Sequence, residues 1–193
     1  MWLAASSFLP PNVMDKVHVA RPVPWKGGIL CSTVELVALA VWVGGLATIL
    51  VTVIPEVFNL GVEPGGRLLT KVFARYNTLV MGMIGLLGAL AMLRWWLSGK
   101  RGVVEASMTR GEACILIVMV LIHVGLVVML VPESVARQEA AFAAEGDAAR
   151  KAAHEAFFQS HKYVRSLYVI NFALGLGLIA VKVGHWTGIR RLL

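Results

Sequence analysis

Charge is scarce in this chain. Asp, Glu, Lys and Arg make up 15% of its 193 residues, while 58% are apolar and the mean hydropathy is +0.76. So few charges cannot coat an ordinary soluble domain, and a lipid bilayer must supply much of the solvent. Acids are the scarcer sign, 11 against 18 bases, which leaves a net charge of +7 and a pI near 9.9. Cysteine is nearly missing too: the chain has 2, and they form no paired-cysteine zinc spacing. Also lacking are a Gly-rich phosphate loop, a nucleophile elbow and a His-Glu metalloprotease helix. The enzyme classes that announce themselves by a short motif are thereby removed, and a protein without catalysis of its own is expected.

What the chain does have is long apolar runs. Crossing the hydrocarbon takes roughly 20 mainly apolar residues as a helix. Four stretches qualify: Cys31 to Ile54, Leu79 to Leu97, Ala113 to Val131, and Tyr163 to Val183. They are continuous rather than alternating in period two, so helices are expected in place of a β-barrel. The fold class that follows is all-α, an integral membrane four-helix bundle. Arg94, near the end of the second run, is expected to snorkel to the interface.

Four spans put both termini on one side. The segments on that side carry ten Lys and Arg against four acids, and the opposite side eight against seven. The positive-inside rule makes the termini cytoplasmic, and a bacterial inner membrane is the expected location. The high pI then reflects membrane orientation, and no nucleic-acid partner is expected. Residues 1–30, interrupted by Pro10, Pro11, Pro22 and Pro24, read as an interfacial arm preceding a four-helix transmembrane domain over 31–193. Cys31 and Cys114 fall at cytoplasmic helix ends, where a disulfide is not expected.

The linkers predict shape. Pro132 to Glu145, a break at Gly146-Asp147, and Ala148 to Lys162 read as a helical hairpin extending beyond the bilayer between spans three and four. Gly61 to Gly66 is turn chemistry, with Arg67 to Asn77 a helical lead-in to span two. Ser98 to Gly102 reads as a flexible basic connection. Small residues at Gly82, Gly85 and Gly88, and at Ala173 and Gly177, mark faces where backbones can approach closely. No tandem repeat is expected. Pro55, Glu56, Arg75, Pro132, Glu133, His161 and Arg165 fall at the non-cytoplasmic helix ends and predict a rim of opposite charges around the bundle mouth.

Trp42-Val43-Gly44-Gly45, Pro55-Glu56-Val57-Phe58, and Gly65-Gly66 followed by Val72-Phe73-Ala74-Arg75-Tyr76 resemble the first half of the small bacterial membrane proteins related to transmembrane protein 205. Val131-Pro132 and Phe158-Gln159-Ser160-His161, with Ser166 and Asn171, resemble the second half. This resemblance implies four helices and little about function. The Trp-Val-Gly-Gly run is also similar to the copper resistance D membrane family, which implies an association with copper.

His123 is the one histidine well inside a span, and an intramembrane ionisable residue is a functional candidate. Haem b held by two histidines would pair it with His161, although His123 lies roughly 12 Å below the end of its span. A magnesium tetrapyrrole would need His123 alone. Met119 and His123, four apart on one face, offer a thioether and an imidazole to copper. His154 and His161, with Phe157 and Phe158 between them, suit an amphipathic contact surface better than a metal. The leading expectation is a small accessory or scaffolding subunit that packs against other membrane protein subunits of a larger respiratory or photosynthetic complex. The alternative is a haem-, pigment- or copper-binding membrane protein using His123.

Overall fold

The computed structural model describes residues 26–101 and 108–187, with side chains described for 29–96 and 108–184. The proposed interfacial arm therefore lies almost wholly outside the described residues. Four long helices and no strand are found among those described. Helix α1 runs Lys26–Thr48, passes through a π-helical turn at Ile49–Val53 and ends as Ile54–Phe58. Helix α2 is continuous over Val62–Arg101. Helix α3 runs Arg110–Gly125, has a π turn at Leu126–Leu130 and continues as Val131–Ala143. Helix α4 spans Asp147–Thr187. All four are long and apolar enough to cross a membrane.

Each boundary has a local cause. Both tight hairpins turn at a glycine in the left-handed region, Gly61 at φ 96° and Gly146 at φ 84°, which a side chain would disfavour. Thr109 caps α3 through a reciprocal capping box with Glu112. Each π turn stands just before a proline, Pro55 or Pro132. Proline cannot donate to the helical ladder, and here the residue before each one bonds five residues back, Ile54 N–H to Ile49 C=O and Val131 N–H to Leu126 C=O. Ser98 to Arg101, expected as a flexible connection, continue α2, because nothing as far as Arg101 breaks the helical ladder.

Helix α1 packs along α2 and α4, and α4 packs along α3. The core between them holds Leu39, Trp42, Leu46, Val80, Met119 and Leu178, among others. The expected hairpin between α3 and α4 is present, yet it does not stand alone. The first turns of α2 run beside it. Gly66 lies so close that an added Cβ would meet Gln138 Nε2 at 2.8 Å and the Phe142 ring at 3.1 Å. Thr70 Oγ1 donates to Gln138 Oε1 at 3.1 Å, and Arg67 Nη1 lies 2.9 Å from Glu139 Oε2 with its guanidinium 5.5 Å from the Phe142 ring. Gly65 has its own reason: a Cβ there would meet Val57 C=O at 2.6 Å, where α1 and α2 turn back on each other.

Three sequence expectations need correction. The charged residues at the hairpin end do not close into a rim: Glu56, Arg75 and Arg165 are exposed, Glu133 pairs with Arg137 on its own helix, and His161 stacks on Phe157. The Gly82, Gly85, Gly88 face and the Ala173, Gly177 pair do not pack inside the bundle. They point outward, and a Cβ on any of these glycines would meet nothing within 4 Å. Within the bundle the small residues that do allow close packing are Gly175, against Val43 and Met119, and Gly45, against the Tyr76 ring.

A repeat is present as well. The π turns, Pro55-Glu56 and Pro132-Glu133, and Glu35 and Glu112 all stand 77 residues apart. At the same spacing Trp42 and Met119, Leu46 and His123, and Ile49 and Leu126 are buried in both helices. Helices α2 and α4 correspond at a spacing of 88, which equates Tyr76 with Val164, Val80 with Tyr168, Leu87 with Gly175 and Arg94 with Lys182. The chain is two helical hairpins built to one plan, and identities at equivalent positions differ enough to hide it.

Candidate functional site

Two groups of buried polar side chains lie on the inside of the bundle. The first is at the end of the bundle where α1 begins and α4 ends, and every helix contributes one charged residue to it. Glu35 of α1 is 1% exposed, Arg94 of α2 9% and Glu112 of α3 5%. Lys182 of α4 has a side chain 11% exposed. Glu35 is the hub. Lys182 Nζ donates to its Oε2 at 2.8 Å, and Arg94 Nη1 stands 3.2 Å from its Oε1, close enough for ion pairing but out of hydrogen-bond alignment. Arg94 Nη2 donates to Ser32 Oγ at 2.6 Å. Lys182 Nζ is 3.9 Å from Glu112 Oε2, the oxygen that also accepts from the Thr109 N–H in the cap.

Two carboxylates and two cations make this node formally neutral, which is how buried charge is tolerated at all. Arg94 thus turns inward to Glu35 rather than snorkelling to the interface. A partner of opposite charge in the bundle outweighs the reach to water, and Trp95 and Trp96 take the outer positions at 78% and 51% exposure. Sequence reading missed the node because its members are scattered over 148 positions, Glu35 to Lys182. One signal was available: each is an ionisable residue within about one turn of the same end of an apolar run.

The second group lies deeper. His123 is completely buried, with the Trp42 ring edge-on at 5.4 Å and the Tyr76 ring at 6.4 Å. Its ring nitrogens have no partner in full hydrogen-bond geometry, although the Asn77 backbone lies within interaction range of the imidazole. Asn171, 3% exposed, donates to the Met119 carbonyl at 3.3 Å and leaves its own Oδ1 without a partner. Tyr168 donates to Asn77 Oδ1 at 2.8 Å, and Tyr76 to the Trp42 carbonyl at 3.0 Å. These bonds tie α1, α2, α3 and α4 together at one level.

Met119 and His123 do share a buried face of α3, as their spacing requires. His161 is not brought to them. It stacks on Phe157, ten residues along α4 from Asn171, a rise of about 15 Å. His154 stacks on Phe158 in the same outer stretch. Among the described residues, no group of three or more His, Cys, Asp or Glu could hold a metal ion. Cys31 and Cys114 are both free. An open cleft of about 300 Å³ at the hairpin end, lined by Glu63, Phe142, Arg150 and His154 among others, shares no residue with either buried group.

No protein-family model matches the chain, and neither a curated protein nor a solved structure matches it.

Proposed function

We propose that this protein is a multi-pass membrane protein without catalysis of its own, a small accessory subunit that packs sideways against other membrane proteins of a larger complex. The observation that carries this reading is the outward direction of its small residues. Gly85 and Ala89 on α2, and Ala173 and Gly177 on α4, stand four apart on exposed faces. In lipid, helices associate through close backbone approach more than through apolar burial, so such faces suit a neighbouring helix. The two pairs occupy equivalent positions in the two repeats, 88 residues apart, which gives the molecule a face for a neighbour on each hairpin.

The resemblance to the proteins related to transmembrane protein 205 agrees with four helices and adds no activity. The resemblance points to a bacterial inner membrane, the bias of Lys and Arg supports cytoplasmic termini, and the exposed Trp95 and Trp96 suit the headgroup level at that end. The outer turns of α2, α3 and α4 then form a three-helix extension beyond the bilayer.

Sizing the native particle after mild solubilisation tests the reading. A particle well above 20.9 kDa plus detergent, with co-purifying membrane proteins, is expected. Gly85→Leu and Gly177→Leu should shrink it without loss of helix content. A stable lone monomer would overturn the reading.

A further inference from the structure

Four bases on the outside of the bundle are used neither by its ion pairs nor by its small-residue faces. Lys71 and Arg75 on α2, and Lys162 and Arg165 on α4, are exposed. Among the described residues, the ion pairs towards the hairpin end join Arg67 to Glu63 and Glu139, and Arg137 to Glu133. None of them takes up one of these four. No acid follows Glu63 on α2 or Glu155 on α4, so neither helix offers them a partner one turn away. Glu56 stands further out, beside the point where Val57 meets Gly65.

The four share a depth. The Tyr168–Asn77 bond joins α4 to α2 at one level. Lys71 and Lys162 each stand six residues before a member of that bond, a rise of about 9 Å, while Arg75 and Arg165 stand two and three before it, about 3–5 Å. The ionic node gives the scale in the other direction. Arg75 and Arg94 are 19 residues apart on α2, about 28 Å, and Arg165 and Lys182 are 17 apart on α4, about 26 Å. No charged residue intervenes on either helix. A hydrocarbon layer of roughly 30 Å fits between the node and the four bases. Leu79, Val169 and Ile170 are exposed on the apolar side of the bases, and Tyr163, 69% exposed, stands among them, as an aromatic does at headgroup level.

We propose that Lys71, Arg75, Lys162 and Arg165 bind the phosphates of anionic phospholipids in the leaflet on the hairpin side. Charge complementarity is the first argument. Lys71 and Arg75 are four apart and Lys162 and Arg165 three apart, so each pair sets like charges side by side on one helix, a repulsion that an anion between them relieves. Depth is the second. At the edge of the hydrocarbon, the stems lie along apolar surface and the charged heads reach the phosphates. A zwitterionic lipid offsets its phosphate with its own ammonium, so an anionic headgroup gains more. An acidic protein approaching from the aqueous side would first meet the exposed Glu63, Glu139, Asp147 and Glu155 further out, which repel it.

The test reconstitutes the full-length protein in vesicles of equimolar phosphatidylglycerol and phosphatidylcholine, with a trace of spin-labelled lipid of either headgroup. The motionally restricted fraction gives the relative association constant of the two lipids. Bases at the other end of the bundle also meet lipid, so the reading is the difference between parent and variant. Glutamine at all four positions should lower the preference for phosphatidylglycerol by at least about fivefold, the worth of one Lys or Arg at an anionic surface. Exchanging Lys for Arg and Arg for Lys at the same positions should keep it. An unchanged preference in the glutamine variant would overturn the proposal; if that variant's native particle has also lost a co-purifying protein, the bases serve an acidic partner instead. Abolition of the parent's preference by inorganic phosphate, but not by chloride at equal ionic strength, would overturn it too, in favour of free phosphate. Should the fourfold variant fail to fold, Lys71→Gln with Arg75→Gln, and Lys162→Gln with Arg165→Gln, decide as separate pairs, each expected to lose part of the preference. The parent's particle size is untouched by this measurement, so lateral assembly stands or falls separately.

Discussion

At the scale of single residues, Glu35 does more than its sequence neighbours suggest. Removing one member of a buried ion pair strands the other, at a cost of about 3–5 kcal/mol. Glu35→Ala strands Arg94 and Lys182 together, so a loss at the upper end of that range is expected in reversible unfolding from mixed micelles. Glu112→Ala leaves Lys182 its closer partner at 2.8 Å and forfeits mainly the helix cap, so about 1–2 kcal/mol is expected. Equal losses for the two variants would mean that Glu35 is not the hub. Gly175 and Gly177 make a second contrast in the same measurement. An alanine at 175 would drive its methyl into Val43 and to 3.1 Å from Met119 Cε, a strain of about 1–3 kcal/mol. An alanine at 177 meets nothing within 4 Å and should be neutral or slightly stabilising, since alanine is the better helix former. His123 was legible as a candidate because an ionisable residue in an apolar run stands out. Arg94 was placed wrongly because a long side chain can turn either way, and the deciding carboxylate lies 59 positions earlier in the chain.

At the scale of elements, the spans could be read from length and hydropathy alone, since a bilayer imposes a minimum run on any helix that crosses it. Where the helices continue past those runs was less visible. The first turns of α2 belong with the outer parts of α3 and α4, and Gly66 is the contact that admits them. Gly66→Leu should push Gln138 and Phe142 away and undock Val131–Ala143 from α2. Hydrogen exchange should then quicken over 131–143 while residues within the apolar run of α2 keep their protection. Unchanged exchange over 131–143 would show that the α3–α4 hairpin holds without α2. The sequence marks Gly65-Gly66 as a turn, and it is more than that. Gly65 admits the Val57 carbonyl and Gly66 the Gln138 side chain, two close approaches from different helices. Both π turns follow from Pro55 and Pro132, yet a proline near a helix end reads equally well as a simple terminus.

At the scale of the whole molecule, the repeat gives the two hairpins the same orientation, with both tight turns on one face. Cysteine labelling checks which face is which. Residues near Glu145 to Asp147 should label from outside the cell, and Lys100 to Gly102 only once the membrane is opened; the reverse pattern would invert the topology. The sequence by itself determined the helical class, the number of helices long and apolar enough to cross a membrane, and the scarcity of charge, because each depends on local composition summed along one run. It did not determine the repeat, since an apolar interior accepts Trp or Met, Leu or His, at equivalent positions, and what is repeated is a register of burial and a backbone irregularity. Nor did it determine which small residues face inward, because period alone does not say which side of a helix meets its neighbours. The ionic node and the Tyr168–Asn77 and Tyr76–Trp42 bonds were decided only when four helices met, since Coulomb attraction and hydrogen bonding act over a few ångströms of space, whatever the separation in sequence.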